Sequence, residues 1–322
     1  MENVGHTSQL PPTLMQELSL LVQRMPAWLF ALLSLAGIFV LYQFVGGGLL
    51  LLLFGLKLTE SDVAAFRWAT MVGQILFLLL PTLFLAKLRF PHRKNVFRFG
   101  SFHGKEIVLI VLAIVSLQQL MQGYLMLQES IPVEVPPWLR EIINQLKEMM
   151  EEMTRQLTSA RSLPEFLFVV LVIAATPAVC EELLFRGLVQ QTLERSGDPT
   201  VRDPRQRGLF AAVVTGLIFA FYHINPFTLV PLAVLGVYLG FLVYRTQNIL
   251  SSMVAHFINN FLACLAVYLR LDDNALAVAP TATPTATLVA VNFGLCTVVF
   301  VAATYYLVRI TNNVEPPEHM PA

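Results

Sequence analysis

Residues 166–187 read FLFVVLVIAATPAVCEELLFRG. Fifteen consecutive residues without a charge, 166–180, are followed within six residues by Glu181, Glu182 and Arg186. About 20 predominantly apolar residues cross a bilayer as a helix, and a charged side chain at the centre of such a helix costs about 2.5–3.5 kcal/mol. The stretch therefore joins an apolar span to three charged groups that need either partners or a function.

The composition extends this pattern to the whole chain. Of the 322 residues, 56% are hydrophobic and 13% are charged, whereas about 25% of the residues of a soluble domain are charged. More than half of the chain lies in seven runs without Asp, Glu, Lys or Arg, namely 25–56, 68–86, 107–128, 166–180, 208–244, 246–269 and 274–308. These runs predict an all-α polytopic membrane protein and exclude a soluble enzyme, a disulfide scaffold and a disordered chain. The 21 basic and 21 acidic residues balance, so net charge gives no reason to expect a nucleic-acid partner.

Two of the runs are divided by proline. Pro226 follows a polar residue and ends a helix, and the prolines of 280–284 mark a loop. We therefore predict a bundle of about eight transmembrane helices, near 27–47, 67–86, 106–127, 165–188, 209–224, 227–244, 249–269 and 287–308. The first run is either one long tilted helix or a helix with an interfacial tail, and its weak point is Gly46–Gly48, because glycine costs ~1 kcal/mol in a helix interior.

Residues 137–157 have a different pattern. Apolar residues recur there at helical spacing with Glu and Lys between them: Trp138, Ile142, Leu146, Met149, Met150, Met153 and Leu157. This pattern predicts an amphipathic helix that lies on the membrane surface. Such a helix could gate a lateral opening or hold a substrate, but amphipathicity alone explains its place at the interface.

Positive charge sets the expected orientation. With alternating spans, thirteen Lys and Arg residues fall on one side and seven on the other, which places both termini in the cytoplasm. The protein is expected to be an integral membrane protein, of the inner membrane if the source is bacterial, and its first span is too long for a signal-peptide core. We divide the chain into a polar N-terminal segment (1–26), N-terminal transmembrane helices (27–128), the interfacial helix (129–164), a core (165–269), and a last transmembrane helix with a polar tail (270–322).

Four polar side chains reach the same depth in the bilayer. At 1.5 Å per residue, Glu181 and His223 lie roughly 21–23 Å from the loop that joins their spans, and His256 and Asn260 lie roughly 16 and 22 Å from the same side. Glu182 and Arg186 are spaced i, i+4 and can pair on one helix face. Glu181 points about 100° away from that face and has no local partner of opposite charge.

Each of these groups has a structural interpretation when taken singly. A histidine or asparagine in a membrane helix commonly forms a hydrogen bond to a neighbouring helix. The Glu182–Arg186 pair could be a buried ion pair that only stabilises the fold. Together, at matched depth, they predict a functional site, because a carboxylate, two imidazoles and an amide suit the activation of water. The Gly-x-Ser-x-Gly pattern of serine hydrolases and the His-Glu-x-x-His pattern of zinc proteases are absent. A nucleophilic role for Cys180 is possible, but we favour a role as a small packing residue.

Three motifs occur in order on successive apolar segments: Glu181-Glu182-x-x-x-Arg186, Phe219-x-x-x-His223 and His256-x-x-x-Asn260. They resemble the CPBP family of CAAX prenyl proteases and bacteriocin-processing (Abi) proteins, which are intramembrane metalloproteases. The resemblance covers about 165–265 and implies an intramembrane endopeptidase. Its substrate would be a membrane-associated or lipidated protein or peptide. The protein would be surrounded by membrane lipid, and no nucleic-acid partner is expected.

The resemblance also implies a role for each residue. Glu181 would activate water, His223 would assist it or bind a metal, and His256 and Asn260 would stabilise the oxyanion. Glu182 and Arg186 would support these groups. The ligand count permits a divalent metal, most readily zinc, held by Glu181, His223 and His256, and a metal-free mechanism is the alternative.

Two other functions compete with a peptidase. One is a proton- or ion-coupled transporter that uses Glu181, His223 and His256 as a relay. The other is a non-catalytic immunity or scaffold protein that keeps the motifs for structure.

Overall fold

The computed structural model describes residues 13–55, 61–91, 96–101, 103–131, 134–195, 203–269 and 286–311, with only the backbone at 204 and 286–288. These residues form ten helices and, within the ranges just given, no strand. The helices are α1 (Leu14–Arg24), α2 (Ala27–Phe54), α3 (Val63–Arg89), α4 (Gly104–Ser130), α5 (Pro137–Thr158), α6 (Leu163–Arg195), α7 (Pro204–Tyr222), α8 (Pro226–Thr246), α9 (Leu250–Tyr268) and α10 (Ala286–Ile310).

Seven of the described helices are long and apolar enough to cross a membrane: α2, α3, α4, α6, α8, α9 and the part of α10 from Val289 to Ile310. The predicted all-α polytopic bundle is therefore confirmed. The eighth predicted span, near 209–224, is the apolar part of α7, whose first turn carries Arg205 and Arg207 and lowers its mean hydropathy. The predicted break between α7 and α8 is observed at 223–225, whereas the predicted loop at 280–284 lies outside the described residues.

The predicted interfacial helix is present as α5. Its C-terminal end is held by Arg67 of α3, which is 2% exposed and donates from Nε to Leu157 O (3.0 Å) and from Nη2 to Gln156 O (2.9 Å) and Ser159 O. Lys147 ties its middle to Glu129 at the end of α4 (Nζ–Oε1 2.6 Å), and this hydrogen bond raises the pKa of Lys147. The surface helix is thus fixed at two points while residues such as Trp138 and Met149 stay exposed.

The N-terminal segment contains a helix that the sequence analysis did not predict. Thr13 and Gln16 form a capping box at the start of α1, in which each side chain bonds the other residue's backbone N–H. Arg89 of α3 then donates from Nη1 to the carbonyls of Val22 (2.5 Å) and Met25 (2.9 Å) at its end. The short α1 is therefore secured at both ends, and its carbonyls are satisfied by a neighbouring helix.

The helix α6 lies at the centre of the bundle, since all eight residues of its segment Leu183–Gln190 are buried. That segment is π-helical, as are Val170–Ala175 of the same helix, Val40–Gly46 of α2 and Ile75–Leu79 of α3. The π-helical segments of α2 and α3 pack against each other, and the one of α3 packs against α6. Such segments are rare and frequently occur at functional sites, and here they surround Glu181 and Glu182.

The helices α7 and α8 pack through small residues. Ala212 and Gly216 on α7 face Gly236 and Gly240 on α8, and a Cβ at Gly240 would lie 2.9 Å from Ala212 O. A Cβ at Gly216 would overlap the backbone nitrogen of Val237. Small residues at this spacing let membrane helices approach closely. The close approach also brings the α8 backbone within reach of side chains from α6.

We expect the substitution Gly216→Ala to destabilise the protein by roughly 1–3 kcal/mol, because the added methyl group forces two backbones apart. The thermal unfolding temperature of the purified protein in detergent measures this loss. The matched control is Gly73→Ala in α3, where a Cβ meets nothing within 4 Å. An unfolding temperature for Gly216→Ala equal to that of Gly73→Ala would contradict the predicted close contact.

Candidate active site

The two adjacent glutamates of α6 enter different environments. Glu182 is fully buried, and its Oε1 accepts from Arg186 Nη1 (2.8 Å) and from His256 Nδ1 of α9 (2.9 Å). Arg186 also donates from Nη2 to Gly236 O of α8 (2.7 Å). One carboxylate thus connects three helices through a buried network, which we call the Glu182 network: Glu182, Arg186, His256 and the Gly236 carbonyl.

The predicted Glu182–Arg186 pair is confirmed. Both side chains are completely buried, so each charge depends on the other for stabilisation inside the bundle. Removing one partner of a buried pair typically costs 3–5 kcal/mol because the remaining charge is left uncompensated. The pairing also leaves Glu181 without a cation among its immediate sequence neighbours.

Glu181 faces His223 at the end of α7. Its Oε2 lies 3.8 Å from His223 Nε2, and the two side chains are 15% and 31% exposed. The other ring nitrogen of His223, Nδ1, lies 2.7 Å from Phe219 O. Because a carbonyl only accepts, Nδ1 carries the hydrogen, and in the neutral ring Nε2 is an acceptor.

Two acceptors that face each other across 3.8 Å need a donor between them. One water molecule fits this requirement, since it can donate one hydrogen to Glu181 Oε2 and the other to His223 Nε2. Glu181 Oε2 is itself buried and has no hydrogen-bond partner among the described residues. The geometry of this pair, called the Glu181–His223 pair below, therefore allows one bridging water.

The ring of Phe219 separates this pair from the Glu182 network. Its centroid lies 4.6 Å from the His223 ring and 5.8 Å from the His256 ring. The guanidinium of Arg186 lies over the same ring, with its Cζ 4.7 Å from the centroid. The predicted residues are thus close together but belong to two groups, with one histidine in each.

Asn260 is committed to a third position. Its Nδ2 donates to Ile173 O of α6 at 3.0 Å. Ile173 belongs to the π-helical segment Val170–Ala175, about two turns before Glu181 on the same helix. Asn260 therefore ties α9 to the backbone of α6 near the site.

The three predicted metal candidates do not form a metal centre as their side chains stand. His256 directs Nδ1 to Glu182, so only Glu181 and His223 face each other. Within the described ranges, no group of three or more His, Cys, Asp or Glu side chains is arranged to hold a metal ion. The donor set does not fit the three-ligand zinc site that the spacing allows, and metal dependence stays a prediction.

Sequence reasoning missed three polar residues around Glu181. Tyr222 precedes His223, and Tyr42 and Gln74 come from α2 and α3. The part of α3 that ends at Gln74 packs against residues 176–182 of α6, and the part of α2 that carries Tyr42 packs against α3. Polar side chains inside the first two apolar runs were the available signal, but the sequence alone does not show which way a helix is rotated.

A cavity of about 470 Å³ opens beside the turn that follows His223. Its walls come from the end of α4, the inner face of α5, the turn itself and the end of α9, for example at Met126, Met150, Asn225 and Val267. Gln128 fixes the turn by donating from Nε2 to Phe227 O at 3.1 Å. The helix α5 thus forms one wall of a partly apolar space beside the turn that follows His223, although neither Glu181 nor His223 lines that space.

Residues 163–262 match the family described as type II CAAX prenyl endopeptidase, Rce1-like. The match covers about a third of the chain and contains all six predicted site residues. It confirms the resemblance identified from the three motifs and supports, at the level of the family, an intramembrane protease of CAAX type. No curated protein and no solved structure matches the chain.

We expect Glu182 and Arg186 to be strongly coupled in a double-mutant cycle. Glu182→Gln or Arg186→Met alone should destabilise the protein by about 3–5 kcal/mol, and the two together should cost clearly less than the sum. Thermal unfolding of the four proteins in detergent gives the coupling. The exposed pair Glu152 and Arg155 on α5, substituted in the same way, is the control and should show no measurable coupling. Additive effects at Glu182 and Arg186 would mean that the buried pair does not act as a unit.

Proposed function

We propose that the protein is an intramembrane endopeptidase that hydrolyses a peptide bond of a membrane-associated protein or peptide. The observation that carries this proposal is the Glu181–His223 pair, two facing acceptors 3.8 Å apart, with a cavity at the turn that follows His223. The family match over 163–262 supports the same activity class. The Glu182 network supports it indirectly, because it takes up the charge of Arg186 and leaves Glu181 as a base.

In the proposed mechanism, Glu181 is the general base. It accepts a proton from the water held between its Oε2 and His223 Nε2 while the water oxygen forms a bond to the substrate carbonyl carbon. The electron pair of the C=O double bond moves to the carbonyl oxygen and gives a tetrahedral oxyanion. When this intermediate collapses, the C=O bond reforms, the C–N bond breaks, and Glu181 returns its proton to the leaving amine.

In this proposal, the Glu182 network positions the helices around the site, and His256 and Asn260 are candidates to contact the oxyanion. Glu182 and Arg186 hold α6, α8 and α9 at fixed positions around Phe219. Because His256 Nδ1 donates to Glu182, His256 can donate to the oxyanion only through Nε2 of a protonated ring. Asn260 Nδ2 donates one of its two hydrogens to Ile173 O, so its second hydrogen can donate to an oxyanion.

We further propose that the substrate approaches through the cavity under α5. His223 lies at the end of α7 that is remote from the loop between α6 and α7, and the cavity opens at that end. If both termini are cytoplasmic, this end faces away from the cytoplasm, in the inner membrane for a bacterial source. The apolar part of the cavity wall suits a lipid-anchored or membrane-inserted segment.

The most informative experiment identifies the substrate directly. Membrane proteins from cells with the active protein and from cells with Glu181→Gln are compared by mass spectrometry of new peptide termini. Purified protein is then tested on a peptide spanning the mapped cleavage site, with and without a prenyl group on a cysteine. Equal cleavage of both peptides would show that the prenyl group is not recognised.

We expect Glu181→Gln to lower the cleavage rate by roughly 10²–10⁴-fold, the usual contribution of a general base. The amide cannot accept the proton from water, but it keeps the size of the carboxylate, so expression and thermal unfolding should stay close to those of the native protein. The control is Glu148→Gln on the exposed face of α5, which should cleave normally. Cleavage by purified Glu181→Gln at the native rate would end the assignment, and ion flux into proteoliposomes without cleavage would favour a transporter instead.

Because the three candidate ligands are not assembled, we propose that Glu181 acts as a base without a metal. Prolonged chelation should then leave the cleavage rate unchanged, and active protein should contain far less than one equivalent of any transition metal by elemental analysis. Loss of activity on chelation with recovery on adding zinc alone would contradict the metal-free mechanism. It would also show that His256 leaves Glu182 to complete a metal site.

A further inference from the structure

Tyr222 is held rigidly beside the Glu181–His223 pair. It is 8% exposed, and its ring lies between Phe39 of α2 (centroids 5.0 Å apart) and Phe185 of α6 (5.2 Å), both in edge-to-face geometry. Gln43 donates from Nε2 to the Tyr222 carbonyl at 3.2 Å. The position of the phenol is therefore fixed by three helices.

The hydroxyl of Tyr222 is nevertheless left without a partner. Its Oη is buried and makes no hydrogen bond to any of the described residues, and the same holds for Glu181 Oε2 and Gln74 Oε1. A buried tyrosine hydroxyl normally finds a partner, particularly in a membrane, where water is scarce. Buried atoms without a described partner therefore occur on Tyr222 and Glu181, as they also do within the Glu182 network at Glu182 Oε2 and Arg186 Nε.

We propose that Tyr222 is a catalytic residue of this site and that its hydroxyl donates a hydrogen bond to the oxyanion of the tetrahedral intermediate. This inference rests on the proposed peptidase function and adds a residue to it. The arrangement explains why the hydroxyl has no protein partner, because its partner is an atom of the substrate that carries negative charge only during the reaction.

The chemistry of the neighbouring groups favours a donor role. Glu181 and neutral His223 both present acceptors to the water, so neither supplies a hydrogen to the oxyanion. The His256 hydrogen on Nδ1 goes to Glu182, and one of the two amide hydrogens of Asn260 goes to Ile173 O, so the second Asn260 hydrogen is a further donor beside Tyr222. The Tyr222 hydroxyl is a neutral donor that keeps its proton throughout, while the proton of the water travels through Glu181 to the leaving amine.

The test is Tyr222→Phe, which removes one oxygen atom and leaves the ring contacts. With an internally quenched peptide spanning the mapped cleavage site, we expect kcat to fall by roughly 10²–10³-fold and KM to change little, as for loss of one oxyanion donor. The unfolding temperature should stay the same or rise, because an unpartnered buried hydroxyl is removed.

The matched control is Tyr238→Phe. Tyr238 is 7% exposed, but its hydroxyl bonds Thr304 Oγ1 of α10 at 3.1 Å, away from the site. This variant should unfold at a lower temperature and keep its kcat. The opposite responses of the two tyrosines distinguish a hydroxyl kept for catalysis from one kept for structure.

The following outcomes would overturn the inference or the proposed function. Native kcat in Tyr222→Phe overturns the inference, and so does a fall in kcat that accompanies a fall in unfolding temperature and is not reversed when 3-fluorotyrosine, which restores a hydroxyl, is placed at 222. If Glu181→Gln is inactive while Tyr222→Phe is fully active, the inference fails and the proposed function stands. If Glu181→Gln cleaves at the native rate, the proposed function itself fails.

Discussion

The structure depends on one fully buried carboxylate, that of Glu182. A charge inside a membrane protein is tolerated only when it is paired and hydrogen-bonded, and Glu182 meets this condition with Arg186 on its own helix and His256 on α9. Arg186 in turn needs a second acceptor and finds it in the Gly236 carbonyl. That contact requires α8 to lie close to α6, so the position of three helices follows from satisfying one charge. The neighbouring Glu181, excluded from this network, is left to a different partner.

The need to satisfy buried polar groups also explains several contacts to backbone carbonyls around the site. Small residues on α7 and α8 let the helices approach so closely that the carbonyls of Gly236 and Gly240 accept from Arg186 and Gln190 of α6. Asn260 of α9 bonds the Ile173 carbonyl of α6. Many polar groups near the centre of the described bundle are thus matched, but several buried side-chain atoms there have no partner among the described residues, including Glu182 Oε2, Arg186 Nε, Glu181 Oε2 and Tyr222 Oη. Buried groups without a partner call for an explanation, and for Glu181 Oε2 and Tyr222 Oη the explanation that we propose is a bound water or substrate.

The apolar runs predicted the helices well, because a run of about 20 apolar residues crosses a membrane as a helix, which satisfies its own backbone hydrogen bonds. The i, i+4 spacing predicted the Glu182–Arg186 pair, which is local to one helix. The distance along each helix from the connecting loop placed His223, His256 and Asn260 at the depth of the glutamates. That distance does not give the rotation of a helix about its axis. It therefore did not show that His223 faces Glu181 while His256 faces Glu182, nor that Asn260 bonds Ile173 O. The roles predicted for these residues remain predictions. The helix α1 was missed although Thr13 and Gln16 carry a capping signal, because its mean hydropathy is low.

The family match ends at residue 262 and begins at 163, yet the walls around Glu181 are built partly by helices outside this segment. Tyr42 and Gln43 come from the π-helical part of α2, and Gln74 precedes that of α3. Gln43 bonds the carbonyl of Tyr222, and Phe39 packs on its ring. The matched segment therefore supplies the Glu181–His223 pair, while the unmatched N-terminal helices shape the space into which that pair opens. If the proposed function holds, a change in α2 or α3 would alter which peptide fits beside Glu181 without changing the distance between Glu181 and His223. The proposed chemistry and the choice of substrate would then depend on different helices.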